Sequence, residues 1–357
     1  MYENNFNLLR IYGAFQVLIQ HSVYHLYINH TVEVGKIDNW VTSFNGFLQN
    51  FHGVAIFFLI SGFLISMSYE KHPDLGDYIK NRVLRIYPAL YVNFLISILV
   101  LYLFGVLDLD FEFLMWVTAQ VTFFQFYNLS AIHDFGTGVI NGSLWTVSVE
   151  LMFYMLLPIL FYIYKKSRYI IVLISILSFS LWVYDVFSSH DSFLNKLLHI
   201  SIIPHLFVFI IGMGFYRYFD YLKQYIEDKF IWWFILYLLL IYTSSLLETD
   251  ELILFFIFKW LIFSFMIFSL AFSFRGLSDR ILHKNDYTYG IYIYHMIVIN
   301  IFVELNLKGE VSYLFYLIAI STLLGILSWH FVEKPMLRLK NHSIFIERNK
   351  KIKKLKR

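Results

Sequence analysis

The chain contains no cysteine. Disulfides, a thiolate nucleophile and any cysteine-ligated metal are thereby excluded. Charge is scarce as well: Asp, Glu, Lys and Arg make up 15% of the 357 residues, against about a quarter in soluble domains. Hydrophobic residues reach 59% and mean hydropathy is +0.63. A polytopic membrane protein is the class that remains. The start of the sequence lacks a basic segment followed by a small-residue cleavage site, so no cleavable signal peptide is expected. No internal repeat, low-complexity linker or soluble appended segment is visible, which leaves a sensor or scaffold without support.

What the chain does have is apolar runs long enough to span a bilayer. Ten are found, near 8–28, 45–69, 87–107, 143–164, 169–187, 199–217, 230–247, 252–274, 287–305 and 312–332. A shorter, glutamine-containing run at 112–128 is expected to be re-entrant or interfacial on the outer side. With the N-terminus inside and the loops alternating, 24 of the 28 Lys and Arg fall on the inner side. Only Lys36, Lys196 and Lys308 fall outside, and Lys259 lies within a span. This bias follows the positive-inside rule and predicts both termini in the cytoplasm. The outer loops are acidic, with Asp108, Asp110 and Glu112, then Glu248, Asp250 and Glu251. The expected fold class is all-α, with one transmembrane domain over 1–340 and a basic cytoplasmic tail over 341–357. That tail is a positive-inside signal first and a contact for anionic lipid second.

Ionisable groups inside an apolar span are costly and mark functional sites by default. His21 is the first of them. Eleven helical steps separate it from Arg10, a rise of roughly 16 Å, so Arg10 is expected at the inner headgroups and His21 near mid-membrane. An imidazole there suits a general base; interhelical hydrogen bonding is the structural alternative, at even odds. His25 follows at i+4 with metal-ligand spacing, but no acid or cysteine accompanies the pair, and no metal is expected. Arg82 and Arg85, followed by Tyr87, lie at the entry to the third span. They are plain anchors or, with Arg10, a cytoplasmic site for a multiply phosphorylated carrier, because guanidinium matches phosphate bidentately. Glu150 falls about two turns into its span, where a carboxylate needs a partner. Ser143 and Trp145 precede it as a cap and an interfacial ring, or as hydrogen-bond donors to substrate. Ser61-Gly62 reads as helix packing, and His295, Lys259, His330 and Glu333 each have a structural reading. His199 and His205 flank Pro204 on the outer side, where they are in place to meet an acceptor.

Six segments, in order, resemble the membrane acyltransferase-3 family of polysaccharide and lipid O-acyltransferases. Arg10…His21 is similar to its Arg-x10-His signature, and GVAIFFLISGFLIS (53–66), NRVLRIYPALY (81–91) and GSLWTVSVELMFYMLLP (142–158) to three further motifs. YTYGIYIYHMIV (287–298) and FVEKPMLRL (331–339) complete the set. Leu151 and Met152 replace the acid and amide that often follow the glutamate, and Ala55 replaces a frequent acid. The resemblance implies an acyl-CoA donor, most often acetyl-CoA, and a glycan or lipid-linked sugar hydroxyl as acceptor, at the inner (plasma) membrane and without nucleic acid. It implies that Arg10, Arg82, Arg85 and Tyr87 hold the donor, that His21 is the base with Glu150 orienting it, and that Ser143, Trp145, Ser61 and His295 attend the substrate or oxyanion. Direct transfer and an acyl-His21 intermediate both remain open, as do the acceptor sugar, the acyl length and the oligomeric state. The competing class is a polysaccharide exporter or proton-coupled transporter, since buried His, Glu and Lys also serve carriers.

Overall fold

The computed structural model describes residues 3–29, 39–71, 74–189, 192–248 and 252–339. The proposed tail at 341–357, together with Lys36, Asp250 and Glu251, lies outside the described residues. Helix accounts for 82% of the structure, and no strand occurs among the described residues. In chain order the helices are α1 (Phe6–Ser22), α2 (Asn39–Gln49), α3 (Gly53–Lys71), α4 (Leu75–Leu103), α5 (Phe111–Val121) and α6 (Trp145–Lys166). Then come α7 (Arg168–Phe187), α8 (Phe193–Ile200), α9 (Leu206–Arg217), α10 (Phe219–Ile226) and α11 (Phe230–Leu247). The last are α12 (Ile253–Phe272), α13 (Leu277–Leu282), α14 (Thr288–Glu304) and α15 (Val311–Ser328). Two π-helical stretches interrupt the regular pattern, Val23–Ile28 directly after α1 and Trp329–Glu333 directly after α15.

Each of the ten expected spans coincides with a helix. Among the described residues seven helices are long and apolar enough to cross a membrane, or eight if the bent pair Phe193–Ile200 and Ile203–Arg217 is one span. The other two expected spans are α1 with its π-helical continuation and the 17-residue α14. Polar side chains dilute the first, among them Arg10, Gln16, Gln20 and His21, and the second is short. The run expected to be re-entrant forms the 11-residue α5, capped by Asp110, which accepts from the Phe113 N–H at 2.8 Å.

Two compact units emerge, each assembled from three separate segments. The first comprises Met1–Gln20, Asn39–Lys71 and Trp145–Asp286. Within it α3 packs along α9 at Gly62 and Gly212, where a Cβ on either residue would fall 2.1 Å from a backbone carbonyl oxygen of the other helix. Close backbone approach of this kind is how helices associate where lipid removes the hydrophobic driving force. Phe6, Phe63, Phe268 and Phe272 interlock nearby, with centroid separations of 5.3–6.4 Å from the Phe6 ring. Arg217 at the end of α9 bonds Glu70 near the end of α3 at 3.3 Å, as alternation requires of loops on one side.

The second unit comprises His21–Asp38, His72–Leu144 and Tyr287–Arg357. Its core is α14, buried at almost every position from Thr288 to Phe302. α14 packs on α15, where Gly290 and Gly325 meet, and on α4 and the π-helical stretch after His21. This buried helix carries the polar residues from which the site is built.

Candidate active site

The base of the site is the N-terminal half of α14. His295 is fully buried. Its Nδ1 lies 2.6 Å from the Tyr292 carbonyl oxygen, one helical turn back. A carbonyl only accepts, so this nitrogen carries the proton. In the neutral imidazole the other nitrogen, Nε2, is then an acceptor. It lies 2.9 Å from His21 Nδ1, and the two ring planes are 27° apart. His21 Nδ1 therefore donates, and the neutral His21 ring is left with its lone pair on Nε2. The His21 residue as a whole is half-buried. The chain Tyr292 C=O, His295, His21 fixes both tautomers in the arrangement a general base needs.

The π-helical turn begins two residues after His21. Widened turns of this kind concentrate at functional sites. His25 lies on this stretch with its ring centroid 6.2 Å from that of His21. Among the described residues no group of three or more His, Cys, Asp or Glu is placed to hold a metal.

Three amides hold α14 in position, and sequence reasoning passed over all of them. Asn93 and Asn141 each donate from Nδ2 to the Ile293 carbonyl at 2.7 Å, and Asn141 also donates to Asn93 Oδ1 at 3.2 Å. Asn300 donates to the Val139 and Ile140 carbonyls at 3.0 Å and accepts from the Thr137 N–H at 2.7 Å. All three are buried. A lone amide in an apolar run, as in YVNFL and VINIF, was the available signal, because an unpaired amide at that depth is costly. Ser143 joins this network. Its hydroxyl donates to Asn141 Oδ1 at 2.8 Å.

Glu150 and Ser61 come together in the other unit. Ser61 donates to Glu150 Oε1 at 3.2 Å, and the Tyr154 hydroxyl donates to the same oxygen. Ser61 is thus more than a packing residue. In the second unit His21 donates to His295, a contact the sequence did not suggest. Trp145, in the first unit, lies with its ring 5.0 Å from His205 and 5.5 Å from His199. His199 Nδ1 pairs with Asp185 Oδ2 at 2.9 Å.

The arginines are held by acids. Arg10 Nη1 lies 3.6 Å from Asp286 Oδ2, and Arg85 Nη1 lies 4.0 Å from Glu333 Oε2. Glu333 accepts from Ser328 at 3.0 Å. Arg82 lies over the Tyr78 ring at 5.9 Å. Tyr87 donates its hydroxyl to the Thr122 carbonyl at 3.0 Å, tying α4 to the end of α5. A guanidinium carries five N–H donors, so pairing with one carboxylate orients the arginine without exhausting it.

A helical membrane protein with a half-buried imidazole backed by a second, fully buried one is the class these features define. Within it the chain belongs to the acyltransferase-3 family: the family model described as "Acyltransferase domain" matches residues 3–330. Nodulation protein 10 of Rhizobium leguminosarum bv. viciae is 28% identical over 357 residues, covering 95% of this chain and 94% of that protein. An O-acetyl transferase of Shigella phage Sf6 is 30% identical over 190 residues, covering 50% of this chain and 52% of that protein. No solved structure matches the chain.

Proposed function

We propose that the protein is a multi-pass O-acyltransferase of the inner (plasma) membrane, with both termini cytoplasmic. It transfers an acyl group, acetyl in the simplest case, from cytoplasmic acyl-CoA to a hydroxyl of a surface or lipid-linked glycan. The observation that supports this reading is the His21–His295–Tyr292 chain, whose hydrogen bonds put the lone pair of a neutral His21 ring on Nε2. The family and the phage O-acetyl transferase support the reaction class.

In this mechanism His21 Nε2 removes the proton of the acceptor hydroxyl as its oxygen attacks the thioester carbonyl. A carbon–oxygen bond forms, the carbon–sulfur bond breaks, and the departing CoA sulfur takes the proton back from His21. His295 accepts from His21 Nδ1–H throughout and so favours the transient imidazolium, the orienting work that a carboxylate does in hydrolase triads. Arg10, aimed by Asp286 in the first unit, is a donor-phosphate residue, as are Arg82 and Arg85 in the second, where Glu333 aims Arg85. Glu150, bonded by Ser61 and Tyr154, is the second catalytic group.

His295→Ala is expected to lower kcat about 100-fold, within the range of a base that has lost its orientation. His295→Gln, whose side-chain carbonyl accepts from the same N–H, should recover part of that loss. Equal activity of His295→Ala and the unsubstituted protein would remove His295 from the mechanism. Arg10→Ala and Arg85→Ala are each expected to raise KM for the acyl donor about tenfold while leaving kcat nearly unchanged, the mark of lost uniform binding. A fall in kcat at constant KM would instead place these arginines outside the donor site. Both comparisons need only membranes, labelled acetyl-CoA and a glycan extract.

A further inference from the structure

Within the first unit α6, α7 and α9 enclose a cleft of ≈ 330 Å³. Phe161, Ile210 and Met213 give it an apolar lining. Two arginines at helix ends also line it: Arg168 opens α7 and Arg217 closes α9. Between them the Tyr164 and Tyr218 hydroxyls hydrogen-bond at 3.1 Å, and the Arg217 guanidinium lies 5.5 Å from the Tyr164 ring. The Arg217 side chain is 49% exposed although it bonds Glu70. Lys165 and Lys166 stand three and two residues before Arg168 in the chain and add to the positive charge of this helix junction. α7 shows its Tyr169, Val172, Leu173 and Ile176 side chains to the surroundings. In a membrane-spanning helix those surroundings are lipid.

We propose that this cleft is a binding site for one anionic phospholipid, with an acyl chain along the apolar lining and the phosphate on Arg168 and Arg217. An apolar cleft open to the bilayer fills with hydrocarbon, and a soluble anion would leave that lining uncovered. A zwitterionic lipid offers no net charge to the basic cluster, whereas guanidinium and phosphate match in both shape and charge. The site is separate from the imidazole pair, and the inference does not depend on the acyl-transfer reading.

Gly214 supplies a clean test. It lines the cleft, and a Cβ built on it meets no atom within 4 Å. A side chain there starts in open space, and a leucine is large enough to fill part of the cleft. Purified protein in detergent is titrated with phosphatidylglycerol or phosphatidylcholine, with bound lipid counted by native mass spectrometry and the thermal midpoint followed in parallel. The unsubstituted protein should retain one phosphatidylglycerol saturably and gain in midpoint, with phosphatidylcholine far weaker. Arg168→Gln with Arg217→Gln should weaken phosphatidylglycerol at least tenfold. Gly214→Leu should abolish its retention while keeping the lipid-free midpoint at or above that of the parent. Equal response to the two lipids, or parent-like binding by the arginine double variant, overturns the proposal. So does a rise in midpoint produced by inorganic pyrophosphate alone, which would make the site one for a soluble phosphate. Should Gly214→Leu fail to fold, the double variant, which alters only side chains at helix ends, decides the matter.

Discussion

His21→Ala is expected to reduce acyl transfer at least 1,000-fold, a loss in the upper part of the range, about 10²–10⁴, for general catalysis, with the protein still inserted and folded. The side chain is half-buried and its ring makes one hydrogen bond, to His295. Truncation therefore removes the base but leaves the Asn93, Asn141 and Asn300 scaffold of α14 intact. His295 would lose a donor, not an acceptor, and keeps its bond to the Tyr292 carbonyl. Labelled acetyl groups reaching a glycan or lipid fraction in parent membranes, but not in the variant, would fit this account. Near-full transfer by His21→Ala would place the base elsewhere. The pair also separates two routes: release of CoA in a burst without acceptor would point to an acyl-His21 intermediate, and strict dependence on acceptor to direct attack.

Gly62→Ala should be, with Gly212→Ala, among the most damaging single methyls in the first unit. Its Cβ would fall 2.1 Å from the Phe209 carbonyl oxygen and 3.1 Å from the Gly212 Cα. Both are backbone atoms, so relief requires α3 and α9 to separate rather than a side chain to swing aside. Forced overpacking costs roughly 1–3 kcal/mol and occasionally more, and a collision with backbone belongs at the upper end, about 3 kcal/mol. Gly46→Ala is the control, because nothing lies within 4 Å of its added Cβ. It lies in α2 and should be neutral or mildly stabilising, as alanine is the better helix former. Thermal unfolding in detergent, read by loss of the monodisperse peak, should show a marked drop for Gly62→Ala and none for Gly46→Ala. Similar midpoints for the two variants would mean that the α3–α9 contact is looser than drawn.

Much of this architecture was legible because a bilayer demands long apolar helices and admits little else. The expected runs fall on helical segments, although 199–217 is two helices bent by 43°, and His21, Glu150 and Arg10 stood out as polar groups where polarity is costly. Partnership was the part that stayed hidden. His295 was visible as an ionisable residue, but nothing in YGIYIYHMIV says that its ring meets one 274 positions away. Nothing in the sequence linked Glu150 to its donors Ser61 and Tyr154, or Ser143 to Asn141. Asn93 and Asn141 went unread because an amide carries no charge to attract notice. Their importance shows only when both converge on the Ile293 carbonyl.

The separation of His21 from His295 has a consequence for how the protein is made. A ribosome delivers His21 in the first helix and its hydrogen-bond partner His295 only after some four-fifths of the chain has been translated. Until α14 enters the membrane and docks on α4, the imidazole of His21 lacks that neighbour, and its tautomer is not enforced. On the proposed mechanism, nascent and prematurely terminated chains would therefore be silent in acyl transfer.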